Sequence, residues 1–180
     1  MLTGNKGEWS ELYTLIRFLA DGQLWQSDIN LNKDLHNVYE IIKVYKDEKD
    51  YKLQFDRNDD ITLYKINRSN EKIILSKLTT KQLSDLADQL LEGIYTGKGK
   101  SFKIIEVGNI LENQLAISKL KASADSKADI KLRIYDHRLA KETDLGFSIK
   151  SLLGKDSTLF NTGAGNNFIY QIKGNMPISL

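Results

Sequence analysis

The chain has 180 residues, a net charge of +2 and a mean hydropathy of −0.40. This length predicts one domain, residues 1–180, with a sizeable core. No apolar run reaches the roughly 18 residues of a membrane span, and the N-terminus lacks a signal-peptide pattern, so no membrane partner is expected. The absence of cysteine excludes a disulfide framework and a thiolate zinc site, and it suits the reducing cytoplasm, where we expect the protein.

The first part of the chain predicts a buried helix over residues 8–20, because apolar side chains recur there at helical spacing and Asp21-Gly22 then ends the run. Similar spacing predicts helices at about residues 35–45, from Thr79 or Thr80 through Ile94, and at residues 107–111. Three short segments, residues 51–55, 61–66 and 72–75, are separated by polar turns and predict an antiparallel meander.

The most informative stretch is a predicted hairpin of residues 130–135 and 145–150, in which apolar and polar side chains alternate. Folding it between Leu139 and Ala140 sets Asp129 opposite Lys150, and a register shifted by two residues keeps the same faces. One face is apolar and is expected in the core. The other presents to solvent Asp129, Lys131, Arg133, Ser148 and Lys150.

Asp129 followed by Ser148-Ile149-Lys150 resembles the core motif of the PD-(D/E)xK nucleases, with serine where a second acid is usual. Phosphodiester hydrolysis needs a hard divalent cation held by oxygen ligands, and a nearby lysine can orient water or stabilise the charged transition state. On the hairpin alone, an ordinary ion pair between Asp129 and Lys150, worth less than about 1 kcal/mol, is the preferred interpretation.

The segments that flank the motif make the resemblance more specific. In order along nearly the whole chain they resemble the HpaII-type restriction endonucleases, and several separated matches are more specific than one short motif. The matching segments are residues 6–13, 19–22, 98–102, 127–130, 145–151, 157–161 and 167–170. The resemblance implies a restriction-endonuclease-like three-layer α/β/α core with a central mixed sheet. It also implies Mg²⁺-dependent cleavage of double-stranded DNA at a short palindrome, and it suggests 5′-CCGG as the target.

Carried over residue by residue, the resemblance makes Asp129 a metal ligand and Lys150 the catalytic lysine, with a supporting polar role for Ser148. Because serine leaves this position without a carboxylate, another acid is expected from the first helix, either Glu8 or Glu11, and the two rank equally. Both glutamates also fit a simpler role as negative charges near a helix N-terminus.

Contacts to DNA are expected from Lys127, from Lys98 and Lys100 in a lysine-rich segment, and from Asn166 and Asn167 in a glycine-rich turn. A solvated lysine loop is an equally good interpretation of Lys98 and Lys100.

Two further functions stay open from the sequence. One is a repair or junction-resolving nuclease with the same core, and the other is a catalytically inert DNA-binding or assembly module. The resemblance leaves a homodimer open and implies a cognate DNA methyltransferase in the same system. It also implies a longer protein, of which this chain is the front part.

Overall fold

The structure is a computed structural model that describes residues 1–30, 32–121, 128–151 and 153. None of the helices in these ranges has the length and apolar character needed to cross a bilayer. The elements are α1 (Lys6–Asp21), β1 (Gln23–Ser27), β2 (Lys33–Asp47), β3 (Lys52–Arg57), β4 (Ile61–Ile66), β5 (Lys72–Leu78), α2 (Thr80–Thr96), α3 (Ile105–Gln114), β6 (Ile130–Asp136) and β7 (Lys141–Phe147).

The seven described strands form one sheet in the order β5-β4-β3-β2-β6-β7, and β1 pairs with the first half of β2. All the strand pairs of the described residues are antiparallel. The α/β class and the meander of β3, β4 and β5 are therefore confirmed. A parallel strand, which would make the sheet mixed, is not among the described elements, so the expectation of a mixed sheet is not confirmed.

One face of the sheet and the three helices share a hydrophobic core. Val44 lies opposite both Phe55 and Leu132 on the neighbouring strands, and all three side chains are fully buried. The helices contribute apolar side chains to the same core. These include Trp9, Leu12, Ile16, Leu83, Leu90, Val107 and Leu111. Alternation along the strands places one set of side chains on this face, which explains why the helices pack there.

The other face of the sheet is polar. Its charged side chains satisfy one another across neighbouring strands, so this face does not need an apolar cover. The pairs are Lys43–Asp56 at 3.6 Å, Lys131–Asp47 at 2.8 Å and Arg133–Asp144 at 2.7 Å. The second helical layer that a three-layer core requires is not found among the described helices, all of which contribute to the opposite face.

Helix α1 has clear signals at both ends. Asn5 caps its N-terminus and exchanges hydrogen bonds with Glu8 in a capping box. At the C-terminus Gly22 adopts a left-handed conformation with φ of 69°, and a Cβ there would lie 2.0 Å from the Arg57 guanidinium. Helix α2 begins after a second capping box, in which Thr79 is the N-cap residue. The helices predicted at residues 8–20, 79–94 and 107–111 are confirmed.

The helix predicted at residues 35–45 is wrong, because this segment belongs to the long strand β2. The register of β2 against β6 shifts between Ile41 and Lys43, which interrupts the alternation of side chains. The irregular spacing imitates a helical repeat, although residues such as Val38 and Tyr39 favour a strand. His36 consequently lies exposed on β2.

The hairpin of β6 and β7 confirms the two predicted faces but not the predicted register. Asp136 pairs with Lys141, which shifts the pairing by two residues from the one that folds between Leu139 and Ala140. The Asp136 carboxylate accepts a hydrogen bond from the Arg138 backbone nitrogen at 2.9 Å, so the turn begins directly after this aspartate. The register therefore follows from side-chain capping of the turn.

The position of two leucines on the same face gives a test of the hairpin. Leu132 and Leu145 are cross-strand partners, but Leu132 is fully buried and Leu145 on the edge strand is 36% exposed. We expect Leu132→Ala to lower the free energy of unfolding by about 2–5 kcal/mol and Leu145→Ala by about 1 kcal/mol, measured by urea denaturation. Equal losses for the two variants would contradict this packing.

Candidate active site

Two acidic residues from different elements of the fold interact electrostatically. Glu11 lies on α1, and Asp129 lies one residue before β6. Burial, followed by the negative charge of Asp129, raises the pKa of the half-buried Glu11 carboxyl from 4.5 to about 7. Lys121 and Lys46 oppose this shift without cancelling it. The structure thus brings together two acids that are 118 positions apart in the sequence.

Glu8 has a different role, since both of its carboxylate oxygens have partners. Oε2 accepts a hydrogen bond from the Asn5 backbone nitrogen at 2.8 Å, and Oε1 lies 2.8 Å from Nζ of Lys121. Burial opposes ionisation of Glu8, but these hydrogen bonds outweigh it and keep its pKa below the ordinary value. Glu8 is therefore committed to capping α1. By contrast, no described residue donates a hydrogen bond to the carboxylate of Glu11.

Asp129 joins β6 to the segment that follows β7. Its backbone nitrogen donates to the Phe147 carbonyl at 2.9 Å, and its Oδ2 accepts a hydrogen bond from the Ile149 backbone nitrogen at 2.7 Å. The close approach of the chains depends on Gly146, because a Cβ at that position would lie 2.8 Å from Cβ of Ala128. One oxygen of Asp129 thus holds the neighbouring segment in place.

Lys150 and Ser148 both lie beyond the end of β7 and are exposed. Continuing the observed register by one pair sets Asp129 opposite Ser148, with Lys150 two residues farther along the chain. The direct opposition of Asp129 and Lys150 was thus wrong by two residues. Among the ion pairs of the described residues, none with an N–O distance of 4.0 Å or less joins these two side chains.

Two basic residues near the site were not predicted from the sequence. Lys46 is buried on the core side of β2, where its ammonium donates to the Leu120 carbonyl at 3.2 Å and lies 3.7 Å from Glu48. Burial lowers the pKa of Lys46, although the nearby Glu48 and Glu11 carboxylates oppose that shift. Lys121 reaches the site through its ion pair with Glu8. No local pattern marks either lysine, because both contacts join distant parts of the chain.

A divalent cation near Glu11 and Asp129 would need oxygen ligands from the surrounding acidic residues. Within the described ranges no cluster of three or more His, Cys, Asp or Glu residues is suited to a metal ion. Mg²⁺ in enzymes is nevertheless usually bound through one or two carboxylates, with water and substrate phosphate as the remaining ligands. Glu11 and Asp129 are carboxylates of this kind, and a cation bound by both would offset the burial and the negative charge of Asp129 that raise the pKa of Glu11. The two side chains therefore have the chemistry that Mg²⁺ needs.

A lysine-rich loop lies beside the N-terminus of α1. Phe102 exchanges two backbone hydrogen bonds with Gly4, and the Trp9 indole nitrogen donates to the Phe102 carbonyl at 3.2 Å. Lys98 and Lys100 are exposed in the preceding part of this loop. The contacts place two exposed positive charges near the end of α1 that carries Glu8 and Glu11. Lys127, Asn166 and Asn167, which were also expected to contact DNA, lie outside the described residues.

The raised pKa of Glu11 predicts an unusual dependence of stability on pH. Between its ordinary pKa of 4.5 and about 7 the folded chain holds a proton that the unfolded chain has released. The stability due to Glu11 is therefore complete below the lower value and is lost as the pH rises through the higher one. In EDTA we expect Glu11→Gln to gain stability relative to the unsubstituted chain between about pH 5 and about pH 8, measured by urea denaturation. Glu8→Gln, at a carboxyl whose pKa is lowered, should show no such gain. If the free energy of unfolding of Glu11→Gln differed from that of the unsubstituted chain by the same amount at both pH values, the raised pKa of this carboxyl would be contradicted.

Comparison with known proteins agrees with the expectation from the sequence. The chain is 36% identical over 171 residues to the type II restriction enzyme HpaII of Haemophilus parainfluenzae. The aligned part covers 94% of this chain and 46% of that enzyme, so the chain spans about half the length of this curated relative. No solved structure matches the chain. The sequence profile of the HpaII restriction endonuclease family matches residues 5–179, and the chain therefore belongs to the HpaII restriction endonuclease family.

Proposed function

We propose that this chain carries the nuclease centre of a type II restriction endonuclease that hydrolyses double-stranded DNA with Mg²⁺. The observation that carries the proposal is the 2.7 Å hydrogen bond by which Asp129 holds the segment of Lys150 at the start of β6, while the charge of Asp129 also acts on the half-buried Glu11. In the proposal Glu11 and Asp129 bind the cation. Lys150 donates hydrogen bonds to the attacking water or to the phosphate, and Ser148 has a supporting polar role.

The remaining chemistry falls to side chains of this chain. When bound, Mg²⁺ would supply a Lewis acid that offsets charge on the phosphate and makes bound water more acidic. Hydrolysis forms a bond from water oxygen to phosphorus and breaks one P–O ester bond, and the leaving oxygen ends with a proton. The exposed Lys150 ammonium can donate hydrogen bonds to the attacking water or to the phosphate oxygens, where negative charge increases in the transition state.

Further residues are proposed to contact DNA. The loop that carries Lys98 and Lys100 is anchored at the N-terminus of α1, so these ammonium groups can meet backbone phosphates close to the carboxyl pair. Lys127, Asn166 and Asn167 are proposed as further DNA contacts.

The wider features of the enzyme are proposals of the same kind. We retain 5′-CCGG, which the sequence resemblance suggests, as the proposed target. We also retain a homodimer as the proposed assembly and a cognate methyltransferase as the second enzyme of the system. The cytoplasm, where the DNA of the cell lies, is the proposed location. A three-layer core would require a further helical layer on the polar face of the sheet.

Digestion of plasmid DNA tests the proposed function against its alternatives. A site-specific enzyme with Mg²⁺ should give discrete bands that disappear in EDTA. A repair or junction-resolving nuclease should act on branched or damaged DNA without giving discrete bands from an intact plasmid. An inert DNA-binding module should bind the plasmid without cutting it.

Removing either principal side chain should abolish cleavage while leaving the fold intact. Asp129→Ala removes a proposed metal ligand, and Lys150→Ala removes the group proposed to act on water and phosphate. We expect both to lower the rate of cleavage by about 1,000-fold or more, with unchanged far-ultraviolet circular dichroism. Lys77→Ala, an exposed lysine on β5, is a control that should cleave normally. Cleavage at the normal rate by either of the two variants would defeat the residue assignment.

The roles of Glu8 and Glu11 can be distinguished by measuring both the cleavage rate and the free energy of unfolding of their variants. We expect Glu11→Gln to lower Mg²⁺-dependent cleavage by about 100-fold or more, because it removes a proposed ligand. Glu8→Ala should instead lower the free energy of unfolding by about 1 kcal/mol through loss of the capping box, with a smaller loss of activity. The reverse pattern, in which Glu8→Ala abolishes cleavage and Glu11→Gln does not, would exchange the two roles.

A further inference from the structure

The backbone around Lys150 is held on both sides by side-chain hydrogen bonds. On one side the Ile149 nitrogen donates to Oδ2 of Asp129 at 2.7 Å. On the other side the hydroxyl of Ser151 donates to the hydroxyl of Ser10 on α1 at 2.9 Å. The Lys150 side chain itself is exposed, so these two neighbours fix the position from which the ammonium extends.

The hydrogen bond between the two serines is one link in a continuous chain of donors and acceptors. The Leu153 nitrogen donates to the Ser151 hydroxyl at 3.1 Å, and the Ser10 hydroxyl in turn donates to the Lys6 carbonyl at 2.7 Å. Ser10 is only 4% exposed, and its proton is already committed to Lys6, so it presents a lone pair to Ser151. The direction of each bond is thus determined, and hydrogen bonds in such a chain strengthen one another.

This contact joins the two elements that carry the proposed catalytic groups. Ser10 directly precedes Glu11 on α1, and Ser151 directly follows Lys150. The sheet cannot supply the same restraint, because β7 ends at Phe147 and is an edge strand. Beyond that point, among the described residues, Ile149 and Leu153 pack against the core, and the hydrogen bonds to Asp129 and Ser10 fix the orientation of the segment.

We propose that Ser151 and Ser10 are positioning residues for the cleavage reaction, which hold the segment of Lys150 against α1 beside Glu11 and Asp129. The inference rests on the proposed nuclease function. Its physical basis is the steep dependence of reaction rate on the geometry of the reacting groups, since a displacement of about 1 Å can cost about 100-fold. Both hydroxyls are bonded within the protein, and Ser10 is buried, so in the proposal each acts through Lys150.

The test compares Ser151→Ala, which removes the hydroxyl, with Ser151→Thr, which keeps one. Thr14→Val is the matched control, because it removes a hydroxyl of α1 whose hydrogen bond, among the described residues, goes to the Ser10 backbone carbonyl at 2.9 Å and not to the segment of Lys150. We expect Ser151→Ala to lower kcat by about 10-fold to 100-fold, while KM for DNA and the affinity for Mg²⁺ change less than about 2-fold. Ser151→Thr should restore most of the loss, and Thr14→Val should behave as the unsubstituted protein.

Hydrogen exchange gives a second measurement that does not depend on cleavage. We expect the amides of residues 147–153 to exchange several-fold faster in Ser151→Ala than in Thr14→Val, with no change along α1. Unchanged exchange in that segment, normal kcat in Ser151→Ala, or equal losses in the alanine and threonine variants would overturn the positioning role. If the unsubstituted protein cuts no DNA, the proposed function fails, while the exchange experiment still decides whether the two serines hold the segment.

Discussion

The burial of one carboxyl group within reach of the charge of another is the constraint on which the proposed function depends. Glu11 is half-buried and close enough to Asp129 that its pKa rises to about 7. A fold selected for stability alone gains little from this arrangement, because burial of unpaired acids is unfavourable. In the proposed function a divalent cation bound by both carboxylates would offset this cost, since oxygen ligands with negative charge are the ones that Mg²⁺ binds. The cost in stability without metal and the proposed activity with metal therefore have the same origin.

The rest of the structure holds the elements that carry Glu11 and Asp129 in place. Core residues on one face of the sheet fix α1 against β2 and β6, and the capping box of Asn5 and Glu8 fixes the first turn of α1. The lysines at positions 46 and 121 place positive charge around the carboxyls without removing the repulsion. Glu8 and Glu11 are three residues apart on one helix, but their surroundings separate their roles. One is an ionised cap with both oxygens occupied, and the other has no hydrogen-bond donor among the described residues.

Much of this architecture could be predicted from the sequence because the decisive signals are local. The apolar spacing of α1, the threonine cap of α2 and the alternation of β6 and β7 each depend on residues that are neighbours in the chain. The faces of the hairpin were predicted correctly for the same reason. Its register was not, because it depends on the capping of the turn by Asp136. The shift of register near Ile41 interrupts the alternation of side chains in β2, and this strand was therefore predicted as a helix.

The composition of the site was predictable only in part. The resemblance to a nuclease family predicts Asp129 and Lys150 as site residues, and sequence alone left Glu8 and Glu11 equal. Only the fold distinguishes these two, because the ion pair of Glu8 with Lys121 and the proximity of Glu11 to Asp129 join residues more than 100 positions apart. The tether between Ser10 and Ser151 has the same long-range character, and neither serine belongs to a recognisable motif.

The most direct test of the account is a Mg²⁺ titration of the metal-free protein, followed through the ¹³C resonances of the side-chain carboxyl groups. The account predicts that the resonances of Glu11 and Asp129 shift together, with a common midpoint, while that of Glu8 stays in place. Separate midpoints for Glu11 and Asp129, or a shift of Glu8 in place of Glu11, would contradict the claim that these two carboxyls share one cation.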